Sequence, residues 1–233
     1  MHDIKKQAEE QRFLNEYDPN AYTPMAVTVD LVVFGVTRSA SDNYRKLDSQ
    51  KLNILLVQRN EFPFKNSYAL PGGFVRPDET LEQAAQRVLH AKTGLDHLYL
   101  EQLYTFGAVE RDPRMRVISC AYLSLIDTEQ VHIADAQWQS VDEVETLPLA
   151  FDHNQIIAEA RARLKNKINY TDIVFHMMPK KFTISQLQEV YEIILDTKLL
   201  PAAFRRTIAE QIVETEEFSK AAGHRPSRLF RKR

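Results

Sequence analysis

The residues best equipped for chemistry lie between Gly72 and Gly94, in the stretch GGFVRPDETLEQAAQRVLHAKTG. The adjacent Gly72 and Gly73 let backbone amides come close to a phosphate, and a helix beginning shortly after them turns its positive end toward the same anion. Glu79, Arg87, Gly94 and Leu95 follow in a fixed frame. Divalent cations that assist pyrophosphate cleavage need oxygen ligands from several carboxylates. Glu79 alone cannot hold such a site, and the positions after Arg87 are filled by Val88, Ala91 and Lys92. The stretch reads as a place that binds a phosphate-bearing ligand and keeps it intact, with no catalytic and no metal-ligating residue.

Positive charge gathers around it at Arg59, Lys65, Arg87, Arg111, Arg114 and Arg116. Arginine can grip phosphate through two parallel hydrogen bonds. Arg59, Arg111 and Arg116 are the foremost candidates, and Lys65, Gly72, Gly73, Phe74, Glu79, Arg87 and Asp112 complete the expected ligand set. The run RDPRMR at 111–116 is equally a charged hairpin turn. Arg87 suits the partnering of a nearby carboxylate, and Lys92 is either a fixed cation facing the ligand or a solvated helix residue. Phe62, Phe64, Tyr68 and Phe74 can stack on a planar base or fill a core. The histidines show no metal-ligand spacing and no nucleophile with its base.

A second chemistry belongs to the C-terminal end. After Glu217 no acidic residue occurs, while Lys220, His224, Arg225, Arg228, Arg231, Lys232 and Arg233 follow. Such a basic end on a chain of net charge −2 fits either a face that meets a polyanion or a solvated tail. Arg205 and Arg206, expected near the start of a helix, suit base edges or phosphates in a major groove. Lys180, Lys181, Ser185, Arg225, Ser227 and Arg228 suit phosphate contacts, which position a protein on DNA but read little sequence.

These residues need elements to hold them. A helix over 3–17 is expected to turn Ile4, Ala8, Phe13, Leu14 and Tyr17 toward another surface, such as a partner subunit. AVTVDLVVFGV (26–36) and LNILLVQR (52–59) read as strands flanking an exposed polar loop. Thr80 with Gln83 forms a capping box at a helix start, and Gly94 stops that helix. Strands are expected near 99–109, 116–125 and 137–140, then a helix over about 152–164. The polar, basic segment 166–181 is read as a linker between a sensing domain (1–165) and a small domain (182–233). In the latter, Thr183 and Gln186 form a second capping box; a helix from Pro201 carries Phe204, Ile208 and Ile212 on one side. A basic hairpin follows. Helix, turn, helix and hairpin is the plan of a winged helix-turn-helix.

At 233 residues, 44% hydrophobic and 27% charged, the chain has the make-up of a soluble globular protein. No run is long and apolar enough for a signal peptide or a membrane span, so a cytoplasmic location is expected. The single cysteine, Cys120, sits in the apolar run VISCAYLSLI, which rules out an intrachain disulfide and fits a buried strand residue. Trp138 is expected to pack at a strand end.

Gly73, Glu79, Arg87, Gly94 and Leu95 stand in the register of a Nudix box, G-x5-E-x7-R-E-U-x-E-E-x-G-U, with Val88, Ala91 and Lys92 where its metal-binding glutamates belong. Together with FLNEYDP, YTFGAVERDPRMRVISCAYL, LAFDHNQII, FTISQLQEVYEIIL, FRR and GHRPSRLF, this resembles the Nudix-related transcriptional regulators of the NrtR type, from Phe13 to Phe230. The resemblance implies an α+β fold, a Nudix-type mixed sheet with flanking helices followed by a winged helix-turn-helix. It implies a homodimer bound to double-stranded DNA at a palindromic operator, repressing genes of NAD metabolism and released by ADP-ribose or a related nucleotide, with no cofactor required. Two other readings stay open: a pyrophosphatase using acids outside the box, such as Glu101 or Glu110, and an adaptor that contacts protein only.

Overall fold

The structure, a computed structural model, describes residues 2–39, 49–96, 98–131, 133, 136–219 and 226–233. Most of the expected polar loop after β1, together with His97, His132, Lys220, His224 and Arg225, lies outside the described residues. Helix α1 (His2–Glu16) leads to β1 (Ala26–Ser39), β2 (Ser49–Gln58), β3 (Tyr68–Ala69), β4 (Gly72–Phe74), α2 (Leu81–Thr93), β5 (Tyr99–Phe106) and β6 (Val117–Ile126). Then come β7 (Gln137–Ser140), the single turn α3 (Val141–Val144) and α4 (His153–Lys167). Helices α5 (Ile184–Leu195) and α6 (Pro201–Ile208) and the hairpin β8 (Ile212–Phe218) with β9 (Arg228–Lys232) complete the chain.

The first seven strands form one mixed sheet in the order β3-β2-β1-β6-β5, with β4 on β1 and β7 on β2. Strand β1 is its axis: it runs parallel to β6 and antiparallel to β2 and β4. From Ala26 to Val36 its sequence is apolar at every position but Thr28 and Asp30, because both faces are covered. Alternate residues go to opposite sides. Val29, Leu31 and Val33 pack with Ala84, Ala85, Val88 and Leu89 of α2, while Val32, Phe34 and Val36 pack toward α4. Cys120 and Trp138 join the α2 side, the cysteine fully within its strand. Asp30 interrupts this apolar run and is itself buried.

Local signals in the sequence set the helix ends. Both capping boxes form, at Thr80 with Gln83 and at Thr183 with Gln186, and Gly94 takes a left-handed φ of 67° as the cap of α2. Pro201 opens α6, but α6 ends at Ile208, and Ile212 begins β8 rather than continuing the helix. Both isoleucines are buried, so the spacing that suggested one long helix arises from a helix and a strand facing the same core. The segment 166–181 is packed: Ile168, Ile173, Val174, Phe175, Met177 and Met178 are buried, with a 3-10 turn over Ile173–Met177. The winged element shares one apolar cluster with the sheet, in which Leu187, Val190, Tyr191, Ile194, Phe204 and Ile208 join Ile54, Leu56, Ile156 and Leu164. A bridge between Phe182 and Phe230 ties β9 to the start of α5. On α1, Phe13 and Leu14 remain 63% and 58% exposed. Among the described residues no helix is long and apolar enough to cross a membrane.

Candidate functional site

A cleft of about 750 Å³ opens where β1, β4 and the N-terminus of α4 meet. The glycine loop forms one wall. Gly72 passes so close to β1 that a Cβ there would stand 2.2 Å from Asp30 Oδ1 and 2.9 Å from the Val29 carbonyl, so only glycine fits. A hydrogen bond from Leu31 N to the Pro71 carbonyl (2.8 Å) continues the pairing. Behind Gly73 lies Val88, whose methyl would be 3.3 Å from a Cβ at that glycine. That position of the helix is therefore built into the apolar core, and Lys92, one turn further on, lines the cleft as a cation. Among the described residues no group of three or more His, Cys, Asp and Glu is placed to hold a metal ion.

The expected ligand residues separate into two groups. Arg59, Gly72, Gly73, Phe74, Arg111 and Asp112 line the cleft. Glu79 and Arg87 instead bind each other: Arg87 Nε and Nη2 donate to the Glu79 carboxylate at 2.9 and 2.5 Å, and Nη2 also reaches the Phe74 carbonyl at 3.0 Å. Glu79 accepts from the Arg76 amide as well, so the pair pins the loop after β4 onto α2. The Arg87 hydrogen bonds, opposed by burial and aided by the Arg76 amide, pull the Glu79 carboxyl down to about 2. Arg116 donates to the Ala108 carbonyl at 2.8 Å, and the Lys65 ammonium lies 5.9 Å from the Phe62 ring; neither lines the cleft.

The floor is a buried charge network. Arg111, its side chain 4% exposed, donates from Nε and Nη2 to both oxygens of Asp152 (2.9 and 2.6 Å) and from Nη2 to Asp30 (3.3 Å). Burial works against the Arg111 charge, but the hydrogen bond to Asp152 and the charges of Asp30 and Asp152 outweigh it and raise its pKa. Ser119 Oγ donates to Asp30 at 2.5 Å. His153 accepts the Leu70 amide on Nδ1 at 2.9 Å, and burial, opposed by Asp30 and Asp152, keeps its pKa below the ordinary value. A hydrogen-bonded Nδ1 acceptor leaves the proton of the neutral ring on Nε2, which faces Asp30 at 3.7 Å. Arg114 is clasped by Asp112 through two side-chain bonds of 3.0 and 2.8 Å, a contact that pulls the Asp112 pKa down. Arg111 and Arg114 are thus already committed to carboxylates. Arg59, held by the Pro63 carbonyl through Nε (2.8 Å), and Lys92 face the cleft with no acidic partner among the described residues.

Asp30, Lys92, Arg114, Phe151 and His153 line the cleft although none belongs to the expected ligand set. Asp30 did carry a signal, as a lone charge inside an apolar strand; Asp152 and His153 showed only as the start of a helix. Glu101, the acid weighed for hydrolysis, is bound instead by Lys167, Arg163 and Tyr99 between β5 and α4. Glu110 is exposed in the turn after β5 and does not line the cleft.

In the winged element Lys180, Ser185, Arg205, Arg206, Ser227 and Arg228 are all exposed. Arg205 and Arg206 stand in the last turn of the short α6, not near its start. Lys181 pairs with Glu217; Arg228 pairs with Glu214 at 2.8 Å and covers the Phe218 ring at 4.9 Å.

Comparison with known proteins assigns both halves. Residues 38–160 match the NUDIX domain family and residues 174–231 the NrtR DNA-binding winged helix domain. The chain is 40% identical over 230 residues to the ADPR responsive transcriptional repressor NtrR of Acinetobacter baylyi, covering 95% of this chain and 88% of that one. Its fold is similar to the crystal structure of Shewanella oneidensis NrtR complexed with a 27mer DNA, with a TM-score of 0.76, 33% identity and coverage of 89% and 93% of the two chains. It is also similar to the NUDIX domain of that protein complexed with ADP ribose, with a TM-score of 0.55, 37% identity and coverage of 66% and 98%. Over 108 residues it is 41% identical to an ADP-ribose pyrophosphatase of Methanocaldococcus jannaschii, covering 46% of this chain and 64% of that one. With a relative of 40% identity spanning nearly its whole length, the chain belongs to the NrtR family of Nudix-related transcriptional regulators.

Proposed function

We propose that this chain is a transcriptional repressor whose Nudix domain (1–165) binds ADP-ribose or a related nucleotide without cleaving it, and whose winged element (182–233) releases DNA in response. The observation that carries the reading is the cleft wall. Where a hydrolase needs carboxylates for metal, a buried Val88 stands behind the glycine loop at Gly72 and Gly73 and a cation, Lys92, lines the same cleft. The protein needs no cofactor. It acts in the cytoplasm as a homodimer, which sets two winged elements on a palindromic operator of NAD-metabolism genes about one helical turn apart.

Helix α4 supports the link between the two tasks. Its first residue and its N-cap, His153 and Asp152, belong to the cleft floor, and it packs against α5 of the winged element. A ligand shifts DNA affinity only by its differential affinity for the two arrangements, and operator DNA must weaken ligand binding by the same factor, typically ~1–3 kcal/mol of coupling. The test is a titration of the protein with DNA from its own upstream region, with and without ADP-ribose, alongside an assay for AMP. DNA release without AMP is expected. Equal ligand affinity with and without DNA would sink the mechanism.

The pyrophosphatase reading draws on the Methanocaldococcus jannaschii relative. The sequestration of Glu101 by Lys167 and Arg163 counts against it, and metal-dependent AMP release would restore it.

A further inference from the structure

A second cavity, of about 210 Å³, shares no lining residue with the cleft. It lies where the C-terminal end of α4, at Ile168, meets α5 and α6. Leu195, Leu199 and Phe204 give it apolar walls, and the Tyr191 ring meets Phe204 edge-on with centroids 5.1 Å apart. Ala203 and Thr207, also on its lining, are exposed, so the cavity opens to solvent along one side of α6.

The chemistry of this lining is the reverse of the cleft's. Among the described residues no Asp, Glu, Lys, Arg or His lines it. An ion entering would lose its water and find no opposite charge. Two polar groups in the wall are nevertheless without partners. Tyr191 is 5% exposed, and its hydroxyl makes no hydrogen bond among the described residues. Burial, aided by the charge of Asp172, pushes that hydroxyl up to about 12, so it stays a neutral donor and acceptor at ordinary pH. Gln211 has its backbone amide on the Ile208 carbonyl and its backbone carbonyl on Arg233, both at 2.9 Å, but its side-chain oxygen is buried with no donor. Buried polar groups nearly always have a partner, so two such groups around one cavity point to a molecule that supplies it. The volume sets the size: an apolar cavity of about 150 Å³ takes up benzene, and this one has room for a substituted ring.

We propose that this cavity is a second ligand site, which takes a small uncharged aromatic ring carrying a hydroxyl; the ring packs among Leu195, Leu199 and Phe204, and the hydroxyl meets Tyr191 and Gln211. The assignment is independent of what the cleft binds. Helix α4 starts at the cleft with His153 and ends at this cavity, whose other walls belong to the winged element. An occupant therefore touches both parts of the chain at their joint.

The experiment is titration of the full chain with p-cresol, followed through the backbone amide signals in NMR spectra, with toluene as the same ring without the hydroxyl and benzoate as a charged ring. p-Cresol is expected to shift the amides of Ile168, Phe204 and Gln211 saturably, toluene to bind more weakly, and benzoate to leave them in place. Tyr191→Phe keeps the ring and removes the hydroxyl. It is expected to weaken p-cresol about threefold to tenfold, the effect of one lost hydrogen bond, with toluene unchanged. Should that variant melt well below the wild type, the comparison of p-cresol with toluene on the wild-type chain decides in its place. Absence of saturable shifts around the cavity overturns the site, as does p-cresol binding only at the cleft. Equal affinity for p-cresol and toluene, or benzoate binding as tightly as p-cresol, overturns the ligand class.

Discussion

The cleft and the winged element use their cations in opposite ways. On the cleft floor Arg111 is buried and spent on Asp30 and Asp152, and Arg114 is clasped by Asp112. On the winged surface Lys180, Arg205 and Arg206 are exposed, with no acidic partner among the described residues, while Lys181 and Arg228 hold only exposed glutamates. Exposed pairs contribute little to stability and exchange readily for another anion. A small ligand is selected by a fixed shape, which buried, mutually saturated charges maintain. A polyanion is bound by releasing counterions, which calls for many mobile charges and tolerates imprecision. Removing Arg111 from the cleft floor should therefore act on folding, and removing an arginine from the wing on salt-dependent affinity.

The sharpest way to break that contrast is Arg111→Ala. It leaves Asp30 and Asp152 facing each other without their shared cation, a loss of about 3 kcal/mol and, for a chain of this size, on the order of 10 °C in melting temperature. Thermal unfolding followed by circular dichroism checks this. A drop of a degree or less would mean that the network is solvated and that Arg111 is free to serve the ligand.

Gly72→Ala tests the same floor by crowding it. The added methyl would need to displace Asp30 and the Val29 carbonyl, and overpacking of this kind costs about 2 kcal/mol. Both stability and ADP-ribose affinity are expected to fall, because the loop that approaches the phosphate moves with the strand. Unchanged affinity in a folded variant would remove the glycine loop from the binding site.

On the winged side, Arg205→Ala with Arg206→Ala is expected to leave the melting temperature within a degree or two, since both side chains are exposed. Operator affinity should fall on the order of tenfold or more. If both are phosphate contacts, the slope of log affinity against log salt should decrease by about 0.9 for each. A large loss confined to one DNA sequence, at constant slope, would assign them to base edges instead.

What was legible in the sequence follows the range of the interactions. Capping boxes, the left-handed Gly94 and the helix start at Pro201 are decided within a few residues, and they lie where the local pattern put them. The glycine loop was legible because a backbone requirement has only one residue that meets it. The floor was not, because Arg111 meets Asp152 and Asp30 across 41 and 81 residues, and nothing local marks which charges will be buried together. Glu79 and Arg87 illustrate the limit within a motif: their register was plain, but only the fold shows that they satisfy each other and close the loop. The misplaced end of α6 has the same origin, since one-sided apolar spacing continues from Ile208 to Ile212 across a change from helix to strand.

That closing pair gives the smallest effect and the most specific one. Glu79 titrates near 2 in the folded chain against an ordinary 4.5, because Arg87 holds its charged form. A carboxyl whose folded pKa is depressed contributes stability above its unfolded pKa and loses it as pH falls toward the folded one. The contribution of this pair is therefore present at neutral pH and disappears between about 4.5 and about 2. Glu79→Gln keeps the shape and removes the charge, so it should melt no more than a few degrees below wild type at pH 7, and the two curves should converge as pH drops through that window. Because the pair is partly exposed, salt should shrink the difference at pH 7 as well. A gap that persists at pH 2 would show that Glu79 acts through its hydrogen bonds to the loop rather than through its charge, which would place the loop closer in kind to the rigid floor than to the exposed pairs of the wing.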